Sequence, residues 1–281
     1  MAPANDSDTF DIGGETTVSR MGYGAMRVTG EGIIGRPDDE DAARDVLRHA
    51  MDLGVDLVDT ADSYGPGVSE RLVGEALGDG DDAFVATKAG LLRTRGGDWL
   101  PHGDPDFLEN QALCSLDRLG ADTLDLLQLH RPDPDTPFED SVHRLAELKD
   151  DGLVDHVGLS NVSVDQLDAA RDIVDVATVQ NEYNVANRDH EAVLSACEDD
   201  DIGFIPYFPI GGGGDLGGRR DALEAVAADH DATVRQVALA WLLDRSPVVL
   251  PIPGTASVEH LEENVGATRL SLTDDDRERL R

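Results

Sequence analysis

Lysine is almost absent from this chain. Only Lys88 and Lys149 occur, beside 21 arginines, and the 23 basic residues face 58 acidic ones for a formal net charge of −35. A field of that sign repels nucleic acid and anionic membrane surfaces, so neither is expected as a partner. The carboxylates run the whole length of the chain and form no block, which argues against an acidic binding tail. Concentrated salt would screen their mutual repulsion to a few ångström, and the composition therefore reads as that of a protein from a salt-accumulating cytoplasm.

Cysteine is equally scarce. Cys114 and Cys197 lie in helical patterns and are too few for a disulfide framework or a metal site, which points to a reducing compartment and no bound metal. Aromatic residues make up 4%, so the core has to be built from Val, Leu, Ile and Ala. No stretch approaches the ~18 apolar residues of a membrane span, and the first residues have neither the basic nor the apolar segment of a leader. A soluble, cytoplasmic monomer or weak homo-oligomer is expected.

What the chain does contain is a regular alternation. After a hairpin pattern over 9–20, short apolar runs at 21–25, 55–59, 83–87, 124–129, 154–159, 176–180, 203–206 and 248–252 alternate with helical patterns. The helices are expected at 39–53, 69–77, 106–119, 138–150, 164–173, 190–199, 220–229, 234–244 and 258–265. Asp104 with Pro105, Thr136 with Pro137, and Ser257 carry helix-start chemistry. Gly54, Gly120, Gly152 and Gly203 stand where a left-handed C-cap would release the chain into the next strand. Eight strand-helix units imply a parallel sheet covered on both faces, closed as a (β/α)8 TIM barrel with an N-terminal β-hairpin, and residues 1–281 read as one domain. An open doubly wound sheet is the alternative, but its glycine fingerprint after the first strand is missing.

Barrels of this kind carry their chemistry on the loops that follow the strands. The strand ends present Met26 and Arg27, then Asp59, Lys88, His130, Ser160 with Asn161, Gln180, Tyr207, and Gly254 with Thr255. The strand starts offer little beyond turn residues. In a chain with so little lysine, Lys88 at the end of an apolar run reads as kept for its ammonium. Tyr64, on the loop after Asp59, is a poor acid in water with a pKa of about 10, and donates a proton at neutral pH only with help from a cation. Lys88 can supply that field, Asp59 can hold the ammonium, and His130 can position or polarise a substrate oxygen. The four together can protonate an oxygen on which charge is developing. Each alone has a plainer reading: a turn aspartate, a surface phenol, a histidine before a proline-containing loop.

The segments VDTADSYG, VATK, LLQLHRPD, VGLSN, VQNEYN, IPYFPIGGG and IPGTASVEHLEEN resemble, in order, the signature segments of aldo-keto reductases, closest to the bacterial-type branch with pyridoxal reductase-like members. The resemblance implies reduction of an aldehyde or ketone by NADPH, with Asp59, Tyr64, Lys88 and His130 as the catalytic tetrad and Tyr64 as proton donor. It implies that Ser160, Asn161 and Gln180 bind the nicotinamide carboxamide and that Tyr207 stacks under the ring. Phe208, Pro209 and the glycines Gly211–Gly214, Gly217 and Gly218 would approach the pyrophosphate. Gly254, Thr255, Ser257 and His260 would form the 2′-phosphate pocket, with Glu263 and Asn264 near the adenine. Many members carry a lysine and an arginine where this chain has Gly254 and His260, and a serine where it has Phe208, so NADH use is admitted beside NADPH. The sequence stops before the long C-terminal loop of steroid- and sugar-reducing relatives, which leaves Met26 and Trp99 as expected walls of the substrate pocket. Trp99 also suits a plain loop anchor. Two rival readings are a non-catalytic nicotinamide-nucleotide-sensing subunit of the same fold and a barrel aldolase or isomerase using Lys88 as a Schiff base; Asp59 opposes the latter by keeping the amine protonated.

Overall fold

The computed structural model describes residues 9–78, 83–211 and 216–281. Strands β1 (Thr9–Ile12) and β2 (Thr16–Ser19) pair antiparallel across a turn in which Gly13 and Gly14 take φ of 63° and 72°. Ile12 and Val18 of this hairpin pack with Leu57, Phe84, Leu126 and Leu250. The hairpin thereby plugs the end of the sheet at which the strands begin.

The parallel elements follow in chain order. They are β3 (Tyr23–Gly24), α1 (Glu40–Asp52), β4 (Leu57–Asp59), α2 (Val68–Leu77) and β5 (Phe84–Ala89). Two short strands, β6 (Leu91–Arg93) and β7 (Trp99–Pro101), then pair antiparallel inside a segment expected to be loop. After them come α3 (Pro105–Leu119), β8 (Leu124–Leu129), α4 (Phe138–Asp150), β9 (Val154–Ser160), α5 (Val164–Arg171), β10 (Val176–Gln180), α6 (Glu191–Asp199) and β11 (Gly203–Phe204). Helices α7 (Arg220–Asp229), α8 (Val234–Arg245), α9 (Val258–Gly266) and α10 (Asp274–Arg279) complete the described chain. The sequence pattern did not reveal α10, which is a short charged helix held by a Thr273–Asp276 capping box.

Seven strands form one parallel sheet in the order β11-β10-β9-β8-β5-β4-β3. The expected eighth strand is an extended segment that bonds on both sides yet forms no regular ladder. Phe204 donates to Val248 O and accepts from Leu250 N, both at 2.8 Å, while Gly22 N reaches Pro251 O at 3.0 Å and Gly24 N reaches Pro253 O at 3.5 Å. Pro251 and Pro253 have no N–H to return, so pairing toward β3 runs in one direction only. The segment nonetheless spans from β11 to β3 and closes the (β/α)8 barrel.

Strands covered on both faces must be apolar throughout, and Leu127, Leu129, Val157, Leu159 and Val179 are wholly buried between sheet and helices. Each such side chain contributes about 1.5–3 kcal/mol on removal from water. Two cap expectations are corrected. Gly203 lies within β11, and the left-handed residue before it is Asp201, with φ 52°; an aspartate tolerates that conformation through local hydrogen bonding. Thr136 does not cap α4, because its hydroxyl donates to Asp133 Oδ2 at 2.8 Å and Pro137 occupies the cap position. Cys114 and Cys197 are free thiols. Among the described residues no helix is long and apolar enough to cross a membrane.

Candidate active site

Parallel strands in register bring their C-terminal residues to one rim. Asp59 ends β4, Lys88 lies one residue from the end of β5, and His130 directly follows β8; the pairings Asp59↔Ala86 and Lys88↔Gln128 set them side by side. Tyr64 returns from the loop after β4, where Asp62 N bonds Lys88 O at 3.1 Å and Gly67 N bonds Asp62 O at 2.7 Å. That loop is a tight turn leaning on β5, so the phenol is carried back over the lysine.

Lys88 is fully buried, and its ammonium has three neighbours: Asp59 Oδ1 at 2.7 Å, Thr60 O at 2.7 Å and the Tyr64 hydroxyl at 3.5 Å. An ammonium has three protons, and all are spoken for. Burial alone would lower its pKa, but Asp59 and Tyr64 outweigh that and hold it above the ordinary lysine value. Asp59 is fixed from its other side as well, since Gln180 Nε2 donates to Oδ2 at 2.8 Å. For Tyr64, burial raises the pKa and the field of Lys88 lowers it, with burial and nearby carboxylates prevailing. The phenol therefore keeps its proton in the resting site, and because its oxygen already accepts from Lys88, that proton is free for another acceptor.

His130 is nearly closed to solvent and edge-on to Tyr64, with ring centroids 5.9 Å apart. Burial, then Lys88 and Arg131, push its pKa well below the usual imidazole value, so the ring is neutral. Its backbone oxygen accepts from Asn161 Nδ2 at 3.0 Å, and Nδ1 faces Ser63 Oγ at 3.3 Å. Trp99 meets Tyr64 edge-on at 6.4 Å and is held flat by Arg93, whose guanidinium stacks 3.5 Å over the indole and bonds Gly32 O. Trp99 thus lies against Tyr64 and anchors its loop. Met26 sits in the helical turn following β3, half-buried at the same rim.

The residues expected to hold the cofactor share this rim. Asn161, with φ 60°, donates to Ser160 Oγ at 2.9 Å and accepts from the Tyr207 hydroxyl at 2.8 Å. Both Asn161 Nδ2 protons are engaged, by His130 O and Ser160 Oγ, whereas Gln180 Oε1 makes no hydrogen bond to a described residue and stays open to a carboxamide. Phe208, with φ 50° and 39% exposure, presents its ring edge-on to Tyr207 and ends in the turn where Gly211 N bonds Phe208 O. Pro209 lies within that turn; Gly212–Gly214 fall outside the described residues. Ser257 caps α9 by accepting from His260 N at 3.4 Å, and Thr255 Oγ1 accepts from Ser257 N at 3.0 Å. The imidazole of His260 is exposed, and Glu263 pairs with Arg235 at 3.3 Å.

Two observations test whether a dinucleotide fits. Asn264 is buried, yet its Oδ1 has no partner, leaving an acceptor of the kind an adenine amino group satisfies. Gly254 is forced by packing: a Cβ there would lie 2.8 Å from Gly24 O, so the strand-end backbone runs bare up to the start of α9, whose N-terminus favours phosphate. The residues present fit the group. A cavity of about 800 Å3 near Gly13, His156 and Arg171 lies at the opposite end of the barrel, away from these residues.

Sequence reasoning passed over Thr60, whose carbonyl holds Lys88, and Ser63 and Arg93, which hold His130 and Trp99. The only signal for Ser63 was its place beside Tyr64; for Arg93 there was none.

Comparison with known proteins agrees with this geometry. Residues 20–281 match the aldo/keto reductase family. An uncharacterized oxidoreductase of Schizosaccharomyces pombe is 47% identical over 270 residues, 96% of this chain and 88% of its own. Pyridoxine 4-dehydrogenase of Escherichia coli is 44% identical over 276 residues, 96% of each chain. The structure also resembles an aldo/keto reductase of Klebsiella pneumoniae solved with NADP and acetate, at TM-score 0.84 and 27% identity, covering 97% of this chain and 94% of that one. With its matching family segments strung along nearly the whole barrel, the chain belongs to the aldo-keto reductase family.

Proposed function

We propose that this chain, a single barrel domain over residues 1–281, reduces the carbonyl of a small aldehyde or ketone with NADPH and uses Tyr64 as proton donor. NADPH supplies the hydride when bound. The observation that carries the assignment to Tyr64 is the saturated ammonium of Lys88, 2.7 Å from Asp59 and 3.5 Å from the phenol oxygen. As negative charge develops on the substrate oxygen, the Tyr64 proton moves to it, and the phenolate left behind is met by a cation that needs no reorganisation. His130, neutral, holds the same oxygen. Ser160, Asn161, Gln180 and Tyr207 would seat the nicotinamide end, while Gly254, Thr255, Ser257 and the α9 terminus would seat the adenosine phosphate.

A planar aromatic aldehyde of the pyridoxal class suits a pocket walled by Trp99, Tyr64 and His130, and the Escherichia coli relative is named for pyridoxine oxidation. The acid-rich surface suits a cytoplasm of high salt. A panel of aldehydes and ketones including pyridoxal, followed by loss of NADPH absorbance in molar KCl, tests the reading. Turnover of pyridoxal above aliphatic aldehydes supports it; no turnover of any carbonyl overturns it.

A further inference from the structure

We propose that Ser63 is a positioning residue that fixes the tautomer of His130: its hydroxyl donates to Nδ1, so the ring proton stays on Nε2 and is offered to the substrate oxygen. The inference rests on the proposed carbonyl reduction and adds to it a residue whose side chain touches neither substrate nor cofactor.

The geometry leaves few choices. Ser63 Oγ lies 3.3 Å from Nδ1, and both side chains are buried. No described residue bonds Nε2, the nitrogen left for a ligand. A neutral imidazole carries one donor and one acceptor, so the partner of Nδ1 decides what Nε2 can do. If Nδ1 gave its proton to Ser63, Nε2 would turn a lone pair toward the pocket and repel a carbonyl oxygen. If Ser63 gives its proton to Nδ1, Nε2–H and the Tyr64 hydroxyl can meet the two lone pairs of that oxygen together.

A serine hydroxyl can act either way, and its surroundings choose. The competing acceptor for its proton is the neighbouring Asp62, which is buried and whose Oδ1 has no partner. An ionised Asp62 would draw the hydroxyl proton away from Nδ1. Burial, and then the charge of Glu70, push the Asp62 carboxyl well above its ordinary range, against the pull of Arg118 and of its own hydrogen bonds with Ser63; once protonated, that carboxyl can donate to Ser63 Oγ and leave the hydroxyl proton for Nδ1. Glu70, wholly buried, is meanwhile committed to Arg118 at 2.6 Å and to the Thr87 hydroxyl. The carboxylates behind the loop are thus arranged so that the serine proton goes to the histidine. The main chain that carries the ring is held too, with His130 N donating to Ala89 O at 2.8 Å and His130 O accepting from Asn161 Nδ2 at 3.0 Å.

The test is nitrogen-15 NMR of imidazole-labelled protein, with the His130 signals assigned by their loss in His130→Asn, together with steady-state kinetics. Wild-type protein is expected to show Nδ1 unprotonated and Nε2 protonated at neutral pH. Ser63→Ala should mix the tautomers and lower kcat by about fivefold to tenfold with KM changed less than twofold, the loss of one neutral hydrogen bond. Ser63→Thr, which keeps the hydroxyl, should restore both. A wild-type ring protonated on Nδ1 overturns the proposal, as does a Ser63→Ala protein that keeps both tautomer and kcat. NADPH titration by fluorescence shows that the variant is folded, and the tautomer is read without turnover, so failure here is separable from failure of the carbonyl-reductase reading.

Discussion

Lys88 and Asp59 form an ion pair 2.7 Å long with side chains 0% and 3% exposed, at the point where two neighbouring strands end. Removing one partner leaves the other charge buried and unpaired, which costs about 3–5 kcal/mol. Lys88→Met and Asp59→Asn are each expected to lower the unfolding temperature markedly and to abolish most turnover. The double variant should be less destabilised than the sum of the two, because neither charge remains. Calorimetry of the three proteins checks the cycle; additive losses would show that the pair is not coupled.

Tyr64→Phe removes the proton while leaving the ring against Trp99 and His130. A general acid contributes about 10²–10⁴ in rate, so kcat should fall by that factor while the dissociation constant for NADPH moves only a few-fold. A variant retaining more than a tenth of wild-type kcat would assign the proton to another group.

The neutral, buried state of His130 predicts a pH dependence of definite sign. Its folded pKa lies well below the ordinary value, with burial as the first cause. Between the two values the unfolded chain holds a proton that the folded chain does not, so stability is complete above about pH 6.5 and falls as pH drops, by up to ~1.4 kcal/mol per unit. Asp62, shifted upward, acts in the opposite sense: the folded chain holds its proton more tightly, and stability falls as pH rises through its window. Comparing wild type with His130→Asn between pH 7.5 and 5 isolates the histidine. The wild-type protein should lose more stability on acidification than the variant.

A net charge of −35 makes surface repulsion the dominant long-range term in the folded state. Raising KCl from roughly 0.1 to 1 M shortens the Debye length from about 10 to 3 Å, and the unfolding temperature should climb by many degrees over that range. A flat response would remove the argument for a salt-rich cytoplasm.

The strand-end residues were legible because a parallel barrel makes position along a strand equivalent to position in the site: Asp59, Lys88 and His130 each follow an apolar run. Tyr64 was legible through its distance from Asp59 and the turn after it. The eighth strand was only half legible, since alternating prolines keep the apolar pattern of 248–252 while removing the N–H groups that make a ladder. The β6–β7 hairpin was not legible, because Arg93, Thr94 and Gly96 look like loop residues until Trp99 is stacked on Arg93. Ser63 carried little signal for a related reason, as its contact with His130 exists only once β4 and β8 bring residues 63 and 130 together.

The resemblance to aldo-keto reductases implies that Gly254 faces the 2′-phosphate, at a position that packing reserves for glycine. A Cβ there would lie 2.8 Å from Gly24 O, so a lysine side chain does not fit, and a cation for that phosphate would have to come from elsewhere. Arg27, exposed and making no hydrogen bond or ion pair to a described residue, places its Cγ 3.6 Å from where that Cβ would stand. In a chain with 58 carboxylates, an unpaired arginine beside the start of α9 is well placed to meet the 2′-phosphate. Arg27→Ala should weaken NADPH binding by about tenfold or more, the worth of one charge-assisted hydrogen bond, and leave NADH nearly unchanged. Gly254→Ala should instead destabilise the fold by about 1–3 kcal/mol through the backbone clash, with both cofactors affected alike. Parallel fluorescence titrations with NADPH and NADH decide between them, and an Arg27→Ala protein with unaltered preference would leave the selection of NADPH to the backbone of the α9 terminus alone.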